Sequence, residues 1–309
     1  MLRKVRDREM CAVTENDGKF GLSCALATPF AEDGSPDLAR LVAQARWCLD
    51  QGCRSVTAFG TTGEGPSIGL SARRAVVSAL REAGIGGPQL VMGVVASAVE
   101  DALDQARQAY EAECRAILLA PPFYFKDPSE EGLFRWFSGF FDALGPLARD
   151  VILYHIPSVT AVPLPVSLIT RLRAAYPGVI LGVKDSSGDW NYAQALLAEH
   201  RDLVILIGDE RQLAQAVGIG AQGAISGMAN IYPDRLLRMI EQARPDPALS
   251  RAVDELLRYP VTPGVKALVA ERTGDPEWAR TRAPLLPLSA EQAAALTGAF
   301  RELLSRKEE

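Results

Sequence analysis

A lysine closes the apolar run "VILGVK" (179 to 184) and is followed at once by "DSSGDW". An ordinary solvated lysine is the first alternative, because most lysines are solvated. Period-two alternation places Ile180, Gly182 and Lys184 on one face of an extended segment, and Gly182 leaves room beneath the ammonium. If that face is interior, the ammonium must be paired or lose its proton. Desolvation lowers an amine's pKa toward the range where the free base attacks carbonyl carbon, the preparation a Schiff-base nucleophile needs. The structural alternative is an ion pair with Asp185 or Asp209. In "VILYHIP" (151 to 157), Tyr154 takes the last inward position, where a phenol can move protons or be no more than a buried tyrosine. "GTTGEGPS" (60 to 67) carries glycines at 60, 63 and 65. They let backbone N–H groups converge on a small anion, with Thr61 and Thr62 as further donors, unless the segment is only a glycine-rich turn. Pro66 stands where a nucleotide-binding loop needs lysine, which disfavours a nucleotide site. An anion loop, a tyrosine and an inward lysine together suit a 2-oxo acid: carboxylate held, ketone condensed, proton moved.

The elements that must position these groups repeat along the chain. β-rich runs occur at 23 to 30, 55 to 60, 89 to 95, 116 to 122, 151 to 157, 179 to 184, 203 to 208 and 223 to 228. Amphipathic segments such as 38 to 51 and 99 to 113 separate them. Near-continuous apolar strands alternating with helices imply parallel pairing with both faces covered. Eight units predict an α/β fold of the (β/α)8 TIM-barrel type, with a doubly wound sheet as the alternative. No G-x-G-x-x-G follows the first run, which weakens that alternative. Three regions are expected: a polar N-terminal arm over 1 to 21, the barrel over 22 to 245, and a C-terminal helical appendage over 246 to 309. Barrel active sites form at the C-terminal ends of the strands, where Lys184, Tyr154 and the 60 to 67 loop fall. His155 is expected to point outward toward helices, and His200 sits at a helix end.

Composition narrows the function classes. The 309 residues carry 33 basic and 38 acidic side chains, a net charge of -5, with 48% hydrophobic and 23% charged residues. Dispersed basic residues on a mildly acidic chain argue against nucleic-acid or anionic-membrane partners. The five cysteines, at 11, 24, 48, 53 and 114, form no C-x-x-C pair, so zinc is not expected. An odd number of cysteines suits a reducing compartment. With no signal-peptide core at the start and no run of about 18 apolar residues, a cytoplasmic enzyme is expected. Neither histidine takes an inward position, which disfavours a metal-dependent barrel aldolase; no metal and no cofactor are expected.

The chain resembles the dihydrodipicolinate synthase and N-acetylneuraminate lyase superfamily of class I, Schiff-base pyruvate aldolases. The motifs "GTTGE" (60 to 64), "YHIPSVT" (154 to 160), "GVKDSSG" (182 to 188) and "GDE" (208 to 210) occur in order and at family-like spacing, over about residue 22 to the C-terminus. The resemblance implies a homotetramer, a dimer of dimers, in which Lys184 forms the imine and Tyr154 shuttles the proton. It also implies that Thr61 relays that proton while the Thr61 and Thr62 amides, next to Gly60, hold the substrate carboxylate. A second tyrosine, completing a hydroxyl relay across the subunit interface, is expected in "PPFYFKDPS" and assigned to Tyr124.

Departures from the family pattern bear on the substrate. Dihydrodipicolinate synthases carry an arginine two residues after the proline of the strand-five motif; here that place is Val159, which cannot imitate a bidentate contact to a carboxylate. Sugar-acid lyases of the superfamily have an apolar residue there, a hydroxyl two places after the lysine, and polar groups after strand seven. Ser186 and the trio Asp209, Glu210 and Arg211 fit, with Ile225 as a further expected substrate contact. The expectation is a lyase that joins or splits carbon–carbon bonds of a 2-oxo-3-deoxy sugar acid or similar. The alternatives are the synthase of lysine biosynthesis, a Schiff-base dehydratase or deaminase, and a catalytically silent 2-oxo acid sensor.

Overall fold

The computed structural model describes residues 19–305. Eight parallel strands close in chain order into a barrel, which removes the doubly wound alternative. They are β1 Gly21–Ala25, β2 Ser55–Ala58, β3 Leu90–Val94, β4 Ala116–Leu119, β5 Val151–His155, β6 Ile180–Asp185, β7 Val204–Ile207 and β8 Gly223–Ser226. β8 returns to β1 through Gly223 opposite Gly21 and Ser226 opposite Cys24. Each apolar run expected to be a strand overlaps one. The first is displaced: it starts at Gly21 and ends at Ala25. Pro29 has no N–H to donate to a ladder, and Thr28 and Phe30 serve loop contacts instead.

The helices between strands are α1 Leu38–Asp50, α2 Leu70–Glu82, α3 Val99–Glu111, α4 Glu130–Leu144, the single turn α5 Pro157–Thr160, α6 Val166–Ala175, α7 Trp190–Glu199 and α8 Glu210–Gly218. After β8 come α9 Pro233–Gln242, within the span expected for the barrel, and then α10 Pro247–Leu256, α11 Val261–Thr273 and α12 Ala290–Ser305 in the region expected to be helical. Asp37, Asp189, Asp209 and Asp246 each accept a backbone N–H at the start of a helix, supplying the donor groups of its first turn with an acceptor. Most of the expected polar arm, residues 1 to 18, lies outside the described residues. Phe20 is already buried against the barrel interior, with the Arg115 guanidinium 4.0 Å from its ring.

Two apolar layers follow from strand alternation. Val91, Leu118, Ile152, Tyr154, Leu206 and Ile225 belong to a cluster that fills the barrel. A larger layer packs the outward strand residues against the helices. The β5–β6 register slips by one residue, Val151 facing Ile180 but Ile152 facing Gly182. Ile180 therefore joins the helix-facing layer, and Leu181 packs on the interior cluster. This corrects the inward placement of Ile180: a bulge inserts one residue and resets alternation beyond it. Nor is the space at Gly182 vacant, since a Cβ there would lie 2.0 Å from the Val204 carbonyl oxygen. The glycine is needed because β7 approaches so closely. Among the described residues, no helix is long and apolar enough to cross a membrane.

Candidate active site

Lys184 and Tyr154 are direct neighbours on β6 and β5. The Lys184 Nζ donates to the Tyr154 Oη at 3.3 Å and sits 4.3 Å from the centre of its ring. The same Oη lies 3.3 Å from the Thr61 Oγ1. An amine, a phenol and a hydroxyl thus form one chain at the C-terminal mouth of the barrel, with Lys184 only 5% exposed. Among the described residues, no carboxylate lies within ion-pair distance of Lys184. Both candidate acids are engaged elsewhere. Asp185 accepts the Ser187 N–H at 2.9 Å, and burial pushes its carboxyl up to about 6, the reverse of what an adjacent cation does. Asp209 caps α8 and is gripped by Arg211 through Nε at 2.9 Å and a terminal nitrogen at 2.6 Å; Arg211 continues to Asp254 at 2.8 Å.

The loop after β2 is built on an unfavourable conformation. Phe59 has φ of 62°, a region that non-glycine residues seldom adopt. Its carbonyl is wedged between two glycines: a Cβ on Gly65 would fall 1.8 Å from the Phe59 oxygen, and one on Gly93 2.2 Å from it. Arg73, almost fully buried, spans the turn by donating to Ile68, Gly65 and Gly93 carbonyls, with its guanidinium 4.6 Å from the Phe59 ring. Desolvation lowers this guanidinium to about 10, so the clamp stays charged near neutrality. The turn closes through Glu64 N–H to the Thr61 carbonyl and Gly65 N–H to the Gly60 carbonyl. Among the described residues, the Thr61 and Thr62 N–H groups have no protein acceptor, as an anion-binding loop requires.

Ser186 lies on the lysine's side of the mouth. A Cβ on Gly208 would be 1.9 Å from the Ser186 Oγ and 3.1 Å from the Lys184 Cε, so both side chains converge over that glycine. Ile225 is buried deep in the barrel, on the β8 face turned inward. Glu210 departs from expectation. Ser226, the outward neighbour of Ile225, donates to its carboxylate at 2.5 Å, and burial raises the Glu210 pKa. The side chain is held in the helix-facing layer and does not line the mouth. The α8 cap and the Arg211 pair likewise occupy the Asp209 oxygens. Tyr124 does not reach Tyr154 within its own chain: it is 72% exposed and packs edge-on with Phe125 at 5.2 Å. Val159, on the α5 turn, is also exposed. His155 faces outward as expected, its ring 4.0 Å from that of Tyr192 and its pKa pulled down to about 4 by burial. His200 ends α7 against Arg173 and Thr170.

Three contributors were not singled out from the sequence: Arg73, Glu64 and Lys266. Lys266 lies in "GVKALV", an apolar run interrupted by one lysine, which is the signal that drew attention to Lys184. Among the described residues, no group of three His, Cys, Asp or Glu side chains is arranged to hold a metal ion.

Comparison with known proteins places this geometry. The model of the dihydrodipicolinate synthetase family matches residues 19–303. An uncharacterized DapA-like lyase of Chloroflexus aurantiacus is 36% identical, over 92% of this chain and 97% of that protein. A 4-hydroxy-tetrahydrodipicolinate synthase of Teredinibacter turnerae is 31% identical, over 91% and 97%. A crystal structure of dihydrodipicolinate synthase from Agrobacterium tumefaciens superimposes with a TM-score of 0.90 at 52% identity, covering 92% of this chain and 99% of that one. With the closed barrel and the lysine–tyrosine pair in place, the chain belongs to the dihydrodipicolinate synthetase family, and is a lyase of that Schiff-base family.

Proposed function

We propose that Lys184 condenses with pyruvate or a related 2-oxo acid and that the resulting imine drives cleavage or formation of a carbon–carbon bond, on a 2-oxo-3-deoxy sugar acid. The observation that carries this is the Lys184–Tyr154–Thr61 chain with no carboxylate beside the amine. In the condensing direction, the amine attacks the ketone carbon and water leaves as the imine forms. Tyr154 then takes a proton from the adjacent methyl, giving an enamine that attacks an aldehyde; the alkoxide so formed regains the proton from Tyr154. Cleavage reverses these steps. The Thr61 and Thr62 amides hold the carboxylate beside Gly60, Thr61 passes the proton on, and Ser186 meets a hydroxyl of the longer substrate. Tyr124, exposed at the rim with Phe125, is assigned to the relay of a neighbouring copy in a homotetramer. The four cysteines among the described residues, buried and free, accord with work in the cytoplasm.

The second reading is the synthase reaction of pyruvate with aspartate semialdehyde, which the names of the relatives favour. Val159 disfavours it, because no guanidinium stands at that place to grip the semialdehyde carboxylate. Borohydride in the presence of pyruvate should label Lys184 irreversibly, seen by peptide mass spectrometry; an unlabelled lysine overturns both readings. Pyruvate release from a panel of 2-oxo-3-deoxy sugar acids, beside turnover of aspartate semialdehyde, separates them. Turnover of the semialdehyde alone removes the first.

A further inference from the structure

The carboxylate-binding loop is held from outside the barrel by a buried ion pair. Lys266, on α11, places its Nζ 2.7 Å from the Glu64 Oε1, and neither side chain has exposed surface. The ammonium also donates to the Thr28 carbonyl at 2.9 Å and lies 4.5 Å from the Phe30 ring. Glu64, left-handed with φ of 53°, accepts the Arg282 N–H on its other oxygen at 2.8 Å. One turn earlier on α11, the Thr262 hydroxyl donates to the Thr61 carbonyl at 3.3 Å. The Thr28 hydroxyl donates to the Gly63 carbonyl at 2.8 Å. Contacts from the C-terminal region, through Thr262, Lys266 and Arg282, therefore converge on Thr61 and Glu64, the two residues that bracket this turn.

A fully buried charge pair is a poor device for stability alone, since an apolar pair of equal volume often does as well. It does specify one geometry. Here it fixes Glu64 at the end of a turn in which, among the described residues, the Thr61 and Thr62 N–H groups have no protein acceptor. We infer that the Glu64–Lys266 pair, with Thr262, is a positioning device that aims the Thr61 and Thr62 amides at the substrate carboxylate, making α11 part of the binding site. The inference rests on the proposed role of that loop. It assigns Glu64, Thr262 and Lys266 to recognition of the carboxylate and not to bond chemistry at Lys184.

The test compares two ketones in borohydride trapping at Lys184: pyruvate, which has the carboxylate, and hydroxyacetone, which lacks it. The double variant Glu64→Gln/Lys266→Met removes both charges at similar volume, and Thr262→Val removes one hydroxyl at nearly constant shape. In the double variant, half-saturation by pyruvate should rise about tenfold, the worth of one well-aimed hydrogen bond to an ion, and hydroxyacetone trapping should stay within about twofold. The rise should appear as KM, with kcat nearly kept. Thr262→Val should show the same split at about threefold, and it decides the matter if the double variant does not fold. Unchanged pyruvate affinity, or equal losses for both ketones, overturns the inference. If the wild-type protein traps hydroxyacetone but not pyruvate, or traps neither, the loop or lysine assignment fails first and takes this one with it.

Discussion

Among the described residues two lysines are buried, Lys184 and Lys266, and their surroundings differ in one respect. Lys266 meets a carboxylate at 2.7 Å and a carbonyl at 2.9 Å; Lys184 meets a phenol at 3.3 Å and the face of its ring, with no carboxylate in reach among the described residues. An ammonium paired and hydrogen-bonded inside a protein is satisfied, and its charge becomes part of the scaffold. One supplied with only a hydroxyl and a ring is left for a ligand to complete. Both sit in apolar runs, so burial alone does not separate the reactive lysine from the structural one. The partner does.

Replacing each lysine with methionine should break this comparison most sharply. Lys184→Met should abolish borohydride trapping and lower turnover by more than about 10³-fold, with the melting temperature little changed. Lys266→Met, by leaving Glu64 buried without its counter-charge, should cost about 3 to 5 kcal/mol in urea unfolding, and whatever fraction folds should still be labelled at Lys184. Trapping that survives the first change or vanishes from folded protein of the second would reverse the two assignments. Tyr154→Phe should slow turnover by about 10²-fold while leaving imine formation measurable, since the ring remains and the proton carrier does not. Full turnover in that variant would remove the phenol from the proton path.

The smallest effect asks whether Asp185 is truly out of the reach of Lys184. Its folded pKa, about 6, lies above the unfolded value near 3.8, so its protonated form stabilises the fold. That contribution is present below about pH 4 and is lost as pH rises through about 6. Asp185→Asn should therefore raise stability at pH 8 by on the order of 2 kcal/mol relative to wild type, the gain vanishing near pH 4. An Asp185 paired with Lys184 predicts the opposite sign at pH 8, and chemical denaturation at the two pH values distinguishes the cases.

Much of this was legible in the residues. Eight apolar runs with helical segments between them imply parallel strands covered on both faces, because each return needs a helix; the count of eight favours a barrel over a doubly wound sheet, and the pairing of β8 with β1 decides it. Lys184, Tyr154 and Thr61 could be grouped because strand alternation and the C-terminal-end rule both act over a few residues. Ile180 could not be placed, because the bulge that turns it outward arises from how β5 and β6 pair, and pairing across some thirty residues leaves no mark on local alternation. The direction of Glu210 escapes local alternation for a similar reason. At a strand–helix junction one residue of rotation decides between mouth and helix layer, and the Ser226 hydroxyl takes the carboxylate outward.

By itself the sequence determined the periodicities, and with them the strands, the helices and the inward phase of the lysine, since these depend on neighbours two to four positions away. Only the tertiary structure decided which charges meet. Glu64 and Lys266 lie 202 positions apart and close to 2.7 Å, whereas Asp185, adjacent to Lys184 on one strand, is turned by alternation to the opposite face, toward Tyr192. Electrostatic partnership follows distance through space, which chain separation neither sets nor reveals.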